Sequence, residues 1–169
     1  MGKDRTMKTH AVMDSPIGEL TLVNMGGTLS ALYMEVHARR PEASALGERS
    51  ATGFEQATEE LNEYFRGERR YFAVATEASG TAFQERVWKL LREIPYGETR
   101  TYAQLADALG DRKAIRAVGT ANGRNPLSII VPCHRVVGSD GSLTGFAGGL
   151  ERKEYLLGLE NLARQKALF

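Results

Sequence analysis

A chain of 169 residues at 18.6 kDa, 42% hydrophobic and 25% charged, has the composition of a folded, water-soluble globular protein forming one domain or two small ones. No apolar run approaches the roughly 20 residues of a membrane span, and residues 1–13 lack the apolar core of a signal peptide, so the cytoplasm is the expected location and no membrane partner is expected. The single cysteine excludes an intramolecular disulfide and, with only three histidines beside it, a Cys-rich zinc site, so neither metal nor cofactor is expected.

A net charge of +1 argues against a wholesale polyanion binder, but the charge is unevenly spread. Residues 42–68 hold seven acids against two bases. Between 111 and 135 the bases Arg112, Lys113, Arg116, Arg124 and Arg135 face the single acid Asp111, a pattern that suits phosphates or simply a solvated face.

In chain order, MGKDRTM reads as a frayed tail with Met7 as an alternative start. From Thr9, alternating segments separated by Ser15-Pro16-Ile17-Gly18 and Met25-Gly26-Gly27 predict a small antiparallel meander. Residues 37–47 read as a loop. Thr52-x-x-Glu55 then reads as a capping box for a helix whose apolar face is Phe54, Ala57, Leu61, Tyr64 and Phe65, stopped by Gly67. Residues 71–79 read as one more strand and a linker, with a domain boundary near Ser79.

Beyond it the punctuation becomes helical. Thr81-x-x-Gln84 and Thr101-x-x-Gln104 are two further capping boxes, the first leading into Phe83, Val87, Leu90, Leu91 and Ile94, with Trp88 in the same core. The second leads into Tyr102, Leu105, Ala106 and Leu109. A helix over about 112–122 follows at once, carrying small residues Ala114, Ala117, Gly119 and Ala121. The pair reads either as a helix-turn-helix or as a spare helical hairpin. Leu127 to Val131 is continuously apolar and predicts a buried extended segment; glycines at 138, 141, 145, 148 and 149 predict a turned loop, and a final helix starts near Leu150 with Leu156, Leu157, Leu159 and Leu162. The fold class is α/β (α+β): a small N-terminal sheet with a helix over 1–79, and a mainly helical domain over 80–169.

Cys133 is the chemical question. A lone cysteine is most often a small buried hydrophobe. Here Pro132 restrains the backbone before it, and His134 and Arg135 bring positive charge close, which favours thiolate. In an extended chain His134 would point away from the sulfur, so it reaches the thiol only if the chain turns, or through a water. Glu154 is a carboxylate that would orient the imidazole, though spacing alone does not prove the pairing.

Asn125-Pro126, Ile130-Val131-Pro132-Cys133-His134-Arg135-Val136, Arg116-Ala117-Val118-Gly119, Gly148-Gly149-Leu150 and Lys153-Glu154 together resemble the O6-alkylguanine-DNA alkyltransferase family. Ser15-Pro16-Ile17-Gly18 and Pro95-Tyr96-Gly97 extend the resemblance over most of the chain. It implies that Cys133 accepts an alkyl group from O6-alkylguanine, and from O4-alkylthymine, in duplex DNA, once per protein. It also implies that His134 takes the thiol proton through a water and that Glu154 holds the imidazole. Asn125 then braces the site, and Tyr102 donates toward the departing guanine and helps rotate the nucleotide.

The resemblance further implies that Arg116 fills the space of the extruded base, with Ala117, Gly119, Ala121 and Arg124 on the DNA and the second helix in the minor groove. Backbone groups near Val136 and the loop Gly145, Phe146, Ala147 and Gly148 would hold the base. Phe146 and Ala147 depart from the Tyr-Ser pair of well-known members, so two hydroxyls are missing. The implied partner is alkylated double-stranded DNA, bound by a monomer, with cooperativity along DNA left open. Three rivals compete: a non-catalytic alkyltransferase-like protein, against which Cys133 argues; a transcription regulator, for which dimerisation or effector-sensing segments would be expected and neither is visible; and a cysteine hydrolase, which frees its sulfur by attacking an acyl intermediate with water, so that retention of a labelled alkyl group separates it from an alkyl acceptor.

Overall fold

The computed structural model describes residues 7–37 and 40–168, with side-chain surroundings as far as residue 161. Residues 1–6 of the expected tail and the side chain of Leu162 lie outside that range.

β1 (Lys8–Met13), β2 (Leu20–Met25) and β3 (Thr28–Met34) form the expected antiparallel meander. The β2–β3 turn is the pair Gly26-Gly27 at φ 60° and 85°, the positive values that a two-residue hairpin of matching twist demands. In the β1–β2 turn, Gly18 N–H donates to Ser15 O at 3.0 Å and Ser15 Oγ donates to Gly18 O at 2.6 Å. A short β4 (Glu48–Arg49) adds parallel to β1, so the sheet has order β3-β2-β1-β4 and is mixed, where the alternation pattern alone predicted purely antiparallel pairing. The expected loop ahead of it contains a 3-10 turn at Ala43–Leu46, and residues 38 and 39 lie outside the description.

α1 (Glu55–Phe65) buries Ala57, Leu61 and Tyr64 on the face the apolar spacing predicted. Its start differs. Thr52 does not cap it: Ser50 Oγ accepts from Thr52 N–H at 3.2 Å in a turn of its own, and the helix begins at Glu55, which accepts from Gly53 N–H at 2.9 Å. Short polar side chains bonding their own backbone compete with a cap in this way. Residues 71–79 do not form the expected strand beyond an isolated parallel bridge from Leu29 to Thr76. They are instead tied down by buried Glu60, whose Oε1 accepts from Ala73 N–H at 2.8 Å and Val74 N–H at 3.1 Å.

The second half is helical: α2 (Ala82–Arg92), α3 (Tyr102–Ala108), α4 (Ile115–Gly123) and α5 (Leu150–Leu168), with a two-strand parallel ladder of β5 (Arg100–Thr101) and β6 (Val136–Val137). Both expected capping boxes close reciprocally. Gln84 N–H donates to Thr81 Oγ1 at 3.1 Å and Gln104 N–H to Thr101 Oγ1 at 3.1 Å, and each glutamine returns its Oε1 to the threonine N–H. Trp88 is buried and donates Nε1–H to Ala121 O at 2.9 Å, locking α2 onto α4.

One core joins the two halves. Leu22, Leu32 and Met34 from the sheet, Leu61 and Tyr64 from α1, and Val87, Leu127, Ile130 and Leu156 from the second half belong to a single buried cluster. The edge of β3 also holds the segment leading to the cysteine: Leu32 N–H donates to Pro126 O at 2.8 Å and Leu32 bridges Leu127. That segment is buried as predicted, but it is coiled where it was expected to be extended. Val131 N–H donates back to Leu127 O at 2.8 Å, and Ile129 sits at φ 74°, a strained conformation for a β-branched residue.

Candidate active site

Asn125 makes the coil possible. It is 3% exposed, accepts from Leu127 N–H at 3.0 Å and donates to Val131 O at 2.8 Å, supplying from a side chain the hydrogen bonds a tight turn cannot make within its own backbone. The chain then enters a 3-10 turn at Cys133–Arg135. Asn122, on the buried side of α4, donates to Cys133 O at 3.4 Å.

The turn corrects two readings of charge at the thiol. Cys133 is 4% exposed, and burial pushes its pKa up, with Asn125, Lys153 and Ser128 only partly offsetting this. The positive charge was expected from His134 and Arg135. Burial, however, pulls the fully buried His134 imidazole below its usual value, outweighing the hydrogen bond to Glu160 and its charge, which would raise it. Arg135 is spent on Glu160, with Nε–H to Oε1 at 2.8 Å and an Nη2 donor to Oε2 at 3.1 Å. Both shifts favour a protonated thiol and a neutral imidazole.

The carboxylate partner is also corrected. His134 Nε2 lies 2.6 Å from Glu160 Oε2, whereas Glu154 is exposed. The reason is helical phase: Lys153, Leu156 and Glu160, at i, i+3 and i+7 on α5, face the core, and Glu154 is rotated about 100° off that stripe. That spacing was present in the sequence and could have found Glu160. Burial opposes the charge on Glu160, but hydrogen bonds from His134 and Arg135 and the Arg135 guanidinium hold its carboxyl well below the usual range. An ionised Glu160 accepts a hydrogen bond from Nε2–H, which leaves the lone pair on Nδ1, a buried atom with no hydrogen-bond partner among the described residues. A thiol, an imidazole and a carboxylate so arranged could serve as nucleophile, base and orienter.

Lys153 had no assigned role. It is fully buried, with Nζ donating to Val136 O at 2.5 Å and Thr144 O at 2.7 Å, and burial pulls its pKa down to about 8. It fastens the 138–149 loop to the cysteine turn. Tyr102 reaches the same loop, its hydroxyl donating to Thr144 O at 3.3 Å. Gly148 meets Met34 of β3 so closely that a Cβ there would overlap the Met34 sulfur. Phe146 and Ala147 are half-buried and Gly145 is exposed on this loop. Val136 is fully buried; its N–H already donates to Cys133 O, and its O is taken by Lys153.

On α4, Arg116 and Ala117 are exposed, Gly119 lies under the Tyr102 ring, and Arg124 is exposed just past the helix end. Ala121 is not on that surface: it is 2% exposed, turned inward with Val118 and Asn122, and its carbonyl holds Trp88. The expected basic footprint loses Arg135 to the core and has Arg112 paired with Asp107 at 2.7 Å, which leaves Lys113, Arg116 and Arg124 without ion pairs among the described residues. Among the described residues no three His, Cys, Asp or Glu side chains converge to hold a metal ion, and no helix is long and apolar enough to cross a membrane.

Two family models match the chain in succession: the ribonuclease-like domain of 6-O-methylguanine DNA methyltransferase over residues 8–78 and its DNA-binding domain over residues 82–162. The methylated-DNA–protein-cysteine methyltransferase of Mycobacterium tuberculosis strain H37Rv is 49% identical over 151 residues, 89% of this chain and 91% of that protein. The protein of the same description from Methanosarcina acetivorans is 46% identical, covering 89% of this chain and 97% of its own. Among solved structures, Mycobacterium tuberculosis OGT in complex with DNA superposes with a TM-score of 0.87 at 48% identity, covering 92% of this chain and 94% of that one.

Proposed function

The chain belongs to the methylated-DNA–protein-cysteine methyltransferase family, and on that premise we propose that Cys133 is its alkyl acceptor, used once, on O6-alkylguanine and O4-alkylthymine flipped out of duplex DNA. The observation that carries the proposal is the buried Cys133 thiol one residue from an imidazole whose Nε2 lies 2.6 Å from Glu160 and whose Nδ1 has no hydrogen-bond partner among the described residues. The thiol proton passes through solvent to His134 Nδ1. The sulfur then attacks the alkyl carbon, forming the S–C bond as the C–O6 bond breaks; guanine leaves with O6 as a carbonyl and takes a proton on N1 from solvent, while the His134 imidazolium returns its proton to solvent, so that one proton passes in net from thiol to base. Tyr102 donates toward that departing base. The product is a thioether without a leaving group for water to displace, so the protein acts once per chain.

Extrusion is required because the O6 substituent lies inside the base stack, out of in-line reach of any sulfur. Arg116 is positioned on the exposed face of α4 to fill the gap, with Ala117 and Gly119 small enough for close approach and Arg124 available to phosphate. Ala121 and Glu154 have no part in this reading. Val136 and the loop from Gly145 to Gly148 receive the base, which requires that the Val136 carbonyl be shared with Lys153 or released by it. Residues 1–79 and 80–169 are the two domains. The working unit is a monomer on alkylated DNA in the cytoplasm, where a thiol stays reduced, and copies along the duplex could bind cooperatively.

Incubation with excess duplex carrying one labelled O6-methylguanine, followed by intact mass and peptide mapping, tests this directly. The expected result is one methyl on Cys133, saturating at one per chain and absent in Cys133→Ser. Tight binding with unchanged mass would replace the proposal with a damage-sensing protein.

A further inference from the structure

The carboxylate that faces His134 has a further partner that comes from the other half of the chain. Tyr64, on α1, is fully buried, and its hydroxyl donates to Glu160 Oε2 at 2.6 Å across 96 residues of sequence. That is the same oxygen that faces His134 Nε2, also at 2.6 Å. The Tyr64 ring is held edge-on to Phe65 and Tyr96, with centroids at 5.4 and 6.2 Å, and tilted against Phe72 at 5.4 Å, so the hydroxyl has little freedom to turn away.

We propose that Tyr64 is a positioning residue for methyl transfer: its hydroxyl holds Glu160 as a carboxylate of moderated basicity, which keeps His134 a neutral base with its lone pair on Nδ1. This inference rests on the transfer reading above. The physical argument is a competition for one oxygen. A carboxylate with His134 as its main donor would attract the proton on Nε2 strongly and stabilise the imidazolium, a form with no lone pair to receive the thiol proton. Donors already on the carboxylate spread its charge and weaken that attraction. Tyr64 and Arg135 supply them on Oε2, and Arg135 with Gly97 N–H at 3.3 Å on Oε1. Burial and the neighbouring carboxylate raise the Tyr64 pKa far above neutrality, so the phenol remains a donor at every working pH.

The charged and titratable groups around His134 are few. Glu160 and Lys153 face it from α5, Cys133 and Arg135 flank it on its own turn, and Tyr64 faces it from α1 through Glu160. Tyr96, with Arg70 and Arg135 over its ring at 5.7 and 5.6 Å, lies just beyond Glu160. Tyr64 is therefore the contribution of the N-terminal half to the chemistry, beyond its share of the core.

Tyr64→Phe removes one oxygen and leaves the ring contacts in place. The experiment is the pH profile of single-turnover methyl transfer to Cys133, for wild type and variant side by side, with the His134 imidazole titrated by NMR in isotope-labelled protein. The acid limb of the variant should move up by about one pH unit, with roughly tenfold loss on that limb and less than twofold on the plateau. The His134 titration should move up by the same amount. An unmoved limb, or a profile that falls in parallel at every pH with an unmoved imidazole, would overturn the inference and leave Tyr64 a purely structural residue. The NMR readout needs no DNA, so it decides the inference even if wild type failed to methylate Cys133, the result that would count against the transfer reading.

Discussion

Replacing Glu160 by glutamine tests the reasoning where sequence and structure part company. Glu160 is 1% exposed and is the counter-ion of Arg135, itself 6% exposed, so the amide leaves a guanidinium in the core whose remaining described bond is Nη1–H to Ile94 O at 2.7 Å. Breaking a buried pair from one side costs about 3–5 kcal/mol. At about 2–4 °C per kcal/mol for a chain of this size, the midpoint should fall by roughly 6–20 °C. The amide also turns an NH2 or a weaker acceptor toward His134 Nε2. An NH2 there selects the tautomer with hydrogen on Nδ1, and transfer at about 20 °C, where the variant is still folded, should slow by a factor on the order of 10³ to 10⁴, as in triads that lose their orienting carboxylate. The assays are thermal unfolding and the single-turnover rate on duplex O6-methylguanine. Glu154→Gln is the control: an exposed site, expected to shift stability by no more than about 0.5 kcal/mol and to leave the rate alone. A Glu160→Gln protein that transfers within tenfold of wild type, or a Glu154→Gln protein that does not, would refute the assignment.

Methylation of Cys133 adds bulk to a site 4% exposed, so the spent protein should be less stable than the fresh one by about 1–3 kcal/mol, read as a lower thermal midpoint; equal midpoints would contradict this. Burial, with Arg40 adding to it, pulls the His37 pKa to about 4, and its Nδ1 accepts from Met34 N–H at 3.2 Å. The unfolded chain therefore binds the proton first, and stability should fall as pH drops from about 6.5 to 4, less so in His37→Gln; parallel pH curves for the two would rule His37 out as the source. Ala147→Ser restores a hydroxyl on the base-receiving loop and should raise the transfer rate by about tenfold, equivalent to 1.4 kcal/mol of transition-state stabilisation. An unchanged rate would mean that the backbone of the loop already suffices.

Local order was legible in the residues because its causes are local. The Gly26-Gly27 hairpin, the Thr81 and Thr101 capping boxes and the apolar face of α1 each follow from forces acting within a few positions. The string around Cys133, with Asn125-Pro126, Arg116 to Gly119 and Gly148-Gly149-Leu150, was enough to imply the family. Where local signals competed, as at Thr52 and over residues 127–131, the outcome turned on side-chain and turn hydrogen bonds two to six residues apart, which the apolar pattern does not display. The charge state of the site was wholly a tertiary decision. Whether His134 and Arg135 could favour a thiolate depended on burial and on Glu160, which packing brings to them from 26 and 25 residues away. Ala121 and Glu154 fell on the wrong sides of their helices for the same reason: sequence sets the period of a helix, but only packing sets its phase toward the core, and electrostatics follows what is buried together.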